Sequence, residues 1–299
     1  MSFFQIIKPW SALKNSAPRF AVAVGLLVSC VLMGCGGGGS SSSSSGSGTP
    51  TSQVNLGVYT TSSTNISSGK DLTLIINSNS ASSTNGLFYA LQFNSLATQV
   101  QQPDIFSGSI AGIGNTTASI SSLTEFSTDL NTLKSGAASF SFPTQDKLKV
   151  DVTPQSGSAI QWSDATSIAL DTTNSLVGTW TGNLYYPTAA SVPLTIAFTS
   201  QPTFSDPNNL VISNLQFSGT ACNITNGNAT PSLSSVNLYN LSMSIANATG
   251  CVLRDDIAKP GSLTGVAYVT TSPVVGKTKR LQWVAITSEG RGLSFRADR

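Results

Sequence analysis

The chain has 299 residues, enough for one large or two ordinary domains. Hydrophobic residues make up 39% and charged residues only 9%, against about 25% charged in an ordinary soluble domain, which excludes a bundle of long, charged-faced helices. The formal charge of +2 includes Lys8, Lys14 and Arg19; setting aside those three of the 15 cations leaves 12 against 13 acids, a net charge of −1, with no electrostatic footprint for nucleic acid and no polybasic attraction to anionic lipid.

There is no histidine. The commonest general base and the commonest metal ligand are therefore both missing, and a Ser-His-Asp triad is impossible. No G-x-S-x-G, Walker loop or C-x-x-C occurs. No cofactor or metal is expected. Asp255-Asp256 is the only adjacent acid pair; it lacks the further oxygens of a calcium loop and reads as a solvated turn. A carboxylate-dependent hydrolase would need two grouped acids, and no pair elsewhere in the sequence is grouped.

Residues 1–20 carry three cations and no acid. Ala21 to Met33 is an apolar run of 13 residues, shorter than the roughly 20 that cross a bilayer. Charged start and apolar middle match a signal peptide. The end of the run, Leu32-Met33-Gly34-Cys35, resembles the lipobox of bacterial lipoprotein signal peptides. That resemblance implies cleavage before Cys35, acylation of its sulfur and new amino group, and stable attachment through several acyl chains. Leu27-Val28-Ser29-Cys30 also fits the pattern, but an apolar region of only about eight residues would precede it. The residue after Cys35 is Gly36 rather than Asp, and in the resembled family this implies the outer membrane.

Gly36 to Ser52 contains no charge and almost no apolar residue, so it cannot offset the entropy of ordering its own backbone. A Gly/Ser stretch of this length is expected to be a flexible coil spanning about 20–25 Å. It resembles the tethers of surface lipoproteins of the transferrin-binding protein B type, a likeness confined to the tether.

From Val54 onward the dominant period is two. Leu72–Ile76, Leu87–Phe93, Phe140–Phe142 and Lys147–Val152 read as strands, with Pro143 ending the third. Leu123, Phe126, Leu130 and Leu133 instead follow a helical spacing. With Ser122 and Glu125 as a capping box and Gly136 as a terminator, they predict one short helix over 122–134.

A second unit begins near Leu176. Val192–Phe198, Leu215–Phe217, Tyr239–Ile245, Leu263–Val269, Leu281–Ile286 and Leu293–Phe295 alternate or run apolar between Gly, Pro and Asn turns. Pro193 marks an edge, and the doubly apolar 282–286 run a central strand. The expected fold is all-β: two antiparallel barrel- or sandwich-like units. The expected organisation is 1–34 signal peptide, 35–52 tether, 53–174 first domain and 175–299 second domain. Gly57-Val58-Tyr59 with Phe106-Ser107-Gly108, and Gly178-Thr179-Trp180 with Phe217-Ser218-Gly219, form a faint echo between the units.

Cys222 and Cys251 are the only thiols after the tether. Outside the cytoplasm such a pair is expected as a disulfide, closing a loop of about 30 residues and contributing about 3–4 kcal/mol. Gly178-Thr179-Trp180 resembles the G-x-W opening of lipocalins, in which the Trp packs under an Arg from the last strand; the resemblance assigns that role to Arg296 and implies a carrier of a small apolar ligand. The whole pattern resembles uncharacterised proteobacterial outer-membrane lipoproteins. It implies a lipid-anchored, non-enzymatic structural or binding module, with the membrane as the partner specified.

Overall fold

A computed structural model describes residues 52–61, 70–78, 83–94, 103–126, 135–144, 147–154, 160–171, 176–185, 191–200, 209–232, 237–246, 261–288 and 290–299. The expected signal peptide, Cys35, most of the expected tether, Cys251 and Asp255-Asp256 lie outside them.

Among the described residues the chain is all β, in two closed antiparallel barrels. The first comprises β1 (Gly57–Thr60), β2 (Lys70–Asn77), β3 (Asn85–Asn94), β4 (Asp104–Ala111), β5 (Ala118–Phe126), β6 (Ser135–Thr144), β7 (Lys147–Pro154) and β8 (Ile160–Ser167). Each strand pairs with the next, and Tyr59↔Ser167 and Thr60↔Thr166 close the ring between β1 and β8. The second comprises β9 (Gly178–Tyr185), β10 (Val192–Ser200), β11 (Leu210–Phe217), β12 (Thr220–Ala221), β13 (Ile224–Pro231), β14 (Leu238–Ile245), β15 (Gly261–Thr271), β16 (Lys279–Thr287) and β17 (Gly292–Asp298). Here β17 returns to β9 and β10 pairs with β11. The result is an eight-stranded ring, with the two-residue β12 folded back on the end of β11.

Alternation builds both interiors. On β7, Leu148, Val150 and Val152 are buried inside the first barrel. Their neighbours stay at the surface, Lys149 pairing with Asp151 at 3.0 Å and Lys147 with Asp164 at 3.3 Å. Closure leaves every strand of the two rings paired on both sides, β12 alone pairing only with β11. Pro193 is accordingly not on an edge strand, because β10 is paired on both sides. It lies one residue beyond the start of the β10–β11 ladder, where its missing N–H costs no pairing. Pro143 likewise lies within β6, at a register shift between Ser141 and Thr144.

The expected helix over 122–134 is corrected in its first part. Ser122–Phe126 lie in β5, and 127–134 fall outside the described residues. Two features of the strand imitate a helical period. A bulge between Ile120 and Leu123 advances the inward face by three residues instead of two. Leu123 and Phe126 then point to opposite faces, and both faces are covered: Leu123 belongs to the first barrel's interior and Phe126 to the contact with the second barrel.

That contact is a dry seam between the outward faces of β1–β4 and β14–β16. Val58, Ile75, Tyr89, Leu91 and Ile105 from the first barrel form one buried cluster with Leu238, Val266, Tyr268 and Val284 from the second. This is why β15 and β16 are apolar on both faces. A Cβ on Gly292 of β17 would sit 3.1 Å from the Ile105 Cβ and 3.0 Å from the Phe126 Cβ, so β17 lies close against the first barrel. One polar cluster bridges the two barrels inside the seam, whereas the buried Ser294 Oγ and Arg296 Nε on the outward face of β17 have no hydrogen-bond partner among the described residues. Asn77, fully buried, donates to Asn240 Oδ1 at 2.7 Å, and its own Oδ1 accepts from the Ser78 N–H at 2.9 Å and from Ser232 Oγ. Tyr268 donates to Gln282 Oε1 at 2.8 Å.

Buried tyrosines set the alkaline behaviour of the chain, Tyr89 lying in the seam and Tyr239 inside the second barrel. Burial pushes Tyr89 up to about 12, and burial together with the Asp171 charge pushes Tyr239 up to about 12. A pKa raised in the folded state means stability that is complete below the ordinary value of 10 and lost as pH rises through the folded value. Ultraviolet phenolate absorbance should therefore show these tyrosines ionising only towards pH 12, together with loss of near-ultraviolet circular dichroism. Full ionisation near pH 10 in the folded protein would contradict the burial.

Candidate functional site: the barrel openings and an exposed hairpin tip

Each barrel opens on the same device. Gly178 takes a φ of +114° and Gly57 a φ of +149°, which only glycine adopts readily. Two residues later an aromatic ring enters the barrel, Trp180 in one and Tyr59 in the other. Each ring's polar atom donates to the carbonyl four residues earlier: Trp180 Nε1 to Leu176 O at 2.8 Å, and Tyr59 OH to Asn55 O at 3.0 Å. The other half of the sequence echo has no structural counterpart. Phe106-Ser107-Gly108 lies inside β4, whereas Ser218 and Gly219, with φ of +49° and +85°, make the tight turn between β11 and β12.

An arginine does cover Trp180, but it is Arg299 and not the expected Arg296. The Arg299 guanidinium carbon stands 3.9 Å from the Trp180 ring centroid, and its Nη1 donates to Val177 O at 3.0 Å. Burial lowers its pKa, opposed by the Asp171 charge. Arg296 points out of the barrel and sits over Phe93 of the first barrel, 4.7 Å from that ring's centroid. Strand alternation decides between them. Leu293, Phe295 and Ala297 face inward, so Arg296 faces outward and residue 299 continues the inward phase. That parity was present in the sequence and would have selected Arg299.

Both interiors are filled. In the second barrel Trp180, Phe198 and Phe295 are wholly buried, and Trp283, 2% exposed, stacks on Phe295 at 5.6 Å between centroids. In the first, Phe88 meets Phe140 edge-on at 5.1 Å and Phe106 meets Trp162 edge-on at 5.0 Å. Trp180, Phe198, Phe295 and Phe88 have no accessible surface, so no water-sized space touches these rings, and they take up interior volume that a ligand would otherwise use. An eight-stranded barrel is just wide enough for side chains to fill it.

The remaining candidates are dispersed. Cys222 lies half-buried against the second barrel's core, just before β13; its expected partner Cys251 lies outside the described residues, as does Cys35. Among the described residues no three His, Cys, Asp or Glu side chains cluster as a metal site. Asp151, Asp164, Asp171 and Asp298 each face a lysine or arginine within 3.3 Å. Burial alone would raise the Asp298 carboxyl, but hydrogen bonds from Arg280 and Ser272 and the charges of Arg280 and Arg296 hold it below 3.8.

One surface feature escaped the sequence reading. The β15–β16 hairpin ends in Ser272-Pro273-Val274-Val275-Gly276-Lys277-Thr278. The Lys277 N–H donates to Val274 O at 3.0 Å, closing a four-residue turn, with Gly276 at a φ of +79°, the geometry of a type II turn. Its base is tied down. Ser272 Oγ donates to Asp298 Oδ1 at 2.6 Å and accepts from the Val274 N–H at 3.1 Å, and the Thr278 N–H donates to Arg299 O at 2.8 Å. On this braced turn Val275 is 99% exposed and Val274 43%. Leu87, at 36%, is the only other large apolar side chain so exposed among the described residues.

No protein-family model, no curated protein and no solved structure matches this chain.

Proposed function

We propose that this chain is a lipid-anchored cell-envelope protein whose double barrel is a rigid, non-enzymatic body acting through its outer surface. One observation carries this reading: large aromatic side chains are buried inside both barrels and a buried apolar seam joins them, which favours the exterior as the working surface. The barrels keep apolar residues inside and surface pairs such as Lys149–Asp151 outside, the inverse of a barrel that spans the outer membrane. The sequence supplies the attachment: acylation at Cys35, a Gly/Ser tether, and an outer-membrane destination. Cys222, half-buried at the edge of the second core, is proposed to pair with Cys251.

Intact-mass measurement of the mature protein tests the anchor and the disulfide together. The expected species begins at Cys35, carries acyl chains, and gains two hydrogens on reduction. An unmodified mass, or a start before Cys30, would end the lipoprotein reading.

A second reading, a lipocalin-like carrier of a small apolar ligand, draws support from the Trp180–Arg299 closure of an eight-stranded barrel. It would require the central rings to move aside for a ligand, since a pocket for a small molecule occupies at least about 300 Å³. Titration with an environment-sensitive apolar dye separates the two: the filled body should give no saturable binding, and stoichiometric binding competed by a fatty acid would favour the carrier. The paired state of the four aspartates named above argues against a two-carboxylate hydrolase, in which one carboxyl must stay protonated.

A further inference from the structure

We propose that the Val274-Val275 tip of the β15–β16 hairpin is an interfacial membrane contact that orients the tethered body on the bilayer; this rests on the lipid-anchor reading given above. The tip combines three properties that a turn of merely structural role does not need. Val275 is 99% exposed, so its apolar surface contributes nothing to folding, although position i+1 of such a turn accepts Pro or a polar residue equally well. The turn is braced on both sides by Ser272, Thr278 and Arg299, so the apolar side chains are held out without an ordering cost on contact. The segment 272–280 carries Lys277, Lys279 and Arg280 and no acid. Lys279 and Arg280 are paired with Asp171 and Asp298, which leaves Lys277 beside the valines as the cation at the tip.

An apolar point beside a cation suits the boundary between acyl chains and anionic headgroups. Protein partners fit less well, since a stable protein interface buries about 800 Å² per side and two valines offer a small fraction of that. Two valines are equally too little to hold a free protein on a membrane, because they bury only a small apolar area. On a lipid anchor the contact becomes intramolecular. The 17 residues from Gly36 to Ser52 span at most about 60 Å when extended, and a link of that length keeps the body at a high effective concentration at the bilayer. A weak contact then suffices to select which face meets the bilayer.

The test uses the full mature chain with an environment-sensitive fluorophore at position 275, introduced as Val275→Cys, on vesicles of phosphatidylethanolamine and phosphatidylglycerol. Flotation with the vesicles reads the anchor; quenching of the fluorophore by lipids labelled in the upper acyl chain reads the tip. The expected result is flotation with quenching, and an approximately tenfold weaker tip contact when Lys277→Glu reverses the charge, with flotation unchanged. Flotation with a fluorophore still fully in water overturns the tip contact and leaves the anchor standing. Quenching at saturating lipid without acylation or stable flotation overturns the anchor and keeps the tip. A fluorophore that responds only to added envelope protein assigns the tip to a protein partner and overturns the membrane contact. Both substituted positions lie in the solvent-facing turn, so circular dichroism should be unchanged.

Discussion

Replacing Trp180 with alanine is expected to destabilise the protein by about 3–5 kcal/mol, the range for removing a buried tryptophan. The side chain is wholly buried at the opening of the second barrel. Three losses coincide there: the ring's apolar surface, the 2.8 Å hydrogen bond to Leu176 O, and the surface on which Arg299 rests. The last strand and the first are then no longer held together at that end. Two milder variants divide the effect. Trp180→Phe keeps most of the volume and loses the hydrogen bond, at about 1 kcal/mol. Arg299→Ala keeps the ring and loses the cation above it, about 0.5–1 kcal/mol at a partly exposed site, together with its hydrogen bond to Val177 O. Arg296→Ala should leave this opening intact, because Arg296 lies on the other face of β17. Urea unfolding monitored by near-ultraviolet circular dichroism measures all four. If Trp180→Ala cost under 1 kcal/mol, or Arg296→Ala loosened the Trp180 signal, the described closure would be wrong.

Asn77→Ala is expected to cost about 2–4 kcal/mol, since removing one partner leaves the others buried and unsatisfied. Asn77 has no accessible surface and joins Asn240 and Ser232 of the second barrel to β2 of the first. Truncation leaves Asn240 Oδ1 and Ser232 Oγ without that partner inside a seam otherwise lined by Val58, Ile75, Leu238 and Val284. Because the cost falls on the contact between barrels, the single unfolding transition expected of the intact protein should broaden or split. A double-mutant cycle with Asn240→Ala should return a coupling of at least about 1 kcal/mol. Independent, additive effects would mean that the two side chains do not meet, and the seam would then be apolar packing alone.

The all-β fold and the facing of β7 were legible because alternation is local: Leu148, Val150 and Val152 identify an inward face without knowledge of any partner. Chemistry excluded by composition was legible for the same reason, since a chain without histidine lacks it in any fold. The 122–126 part of the expected 122–134 helix failed for a physical cause. Periodicity reports which residues are buried but not what buries them, and a bulged strand covered on both sides at Leu123 and Phe126 shows the same spacing as one helix face. Arg296 answers the resemblance's requirement for an arginine on the last strand, but the alternation of Leu293, Phe295 and Ala297 selects Arg299. Val275 drew no notice, because a valine in a Gly-containing turn looks ordinary until its exposure is known.

The amino-acid sequence by itself determined the three cations before the apolar run, the Leu32-Met33-Gly34-Cys35 motif, the Gly/Ser stretch after it and the strand character of the body. Those are properties of neighbouring residues, which need no tertiary contact to exist. Only the tertiary structure decided that each unit closes into a barrel, that β1–β4 and β14–β16 spend their outer faces on each other, that the central volume is filled, and that one apolar turn is left standing in solvent. The contact between the barrels joins residues far apart in the chain, Asn77 and Asn240 by 163 positions. Pairing at that distance follows from how whole faces complement one another and not from any local pattern.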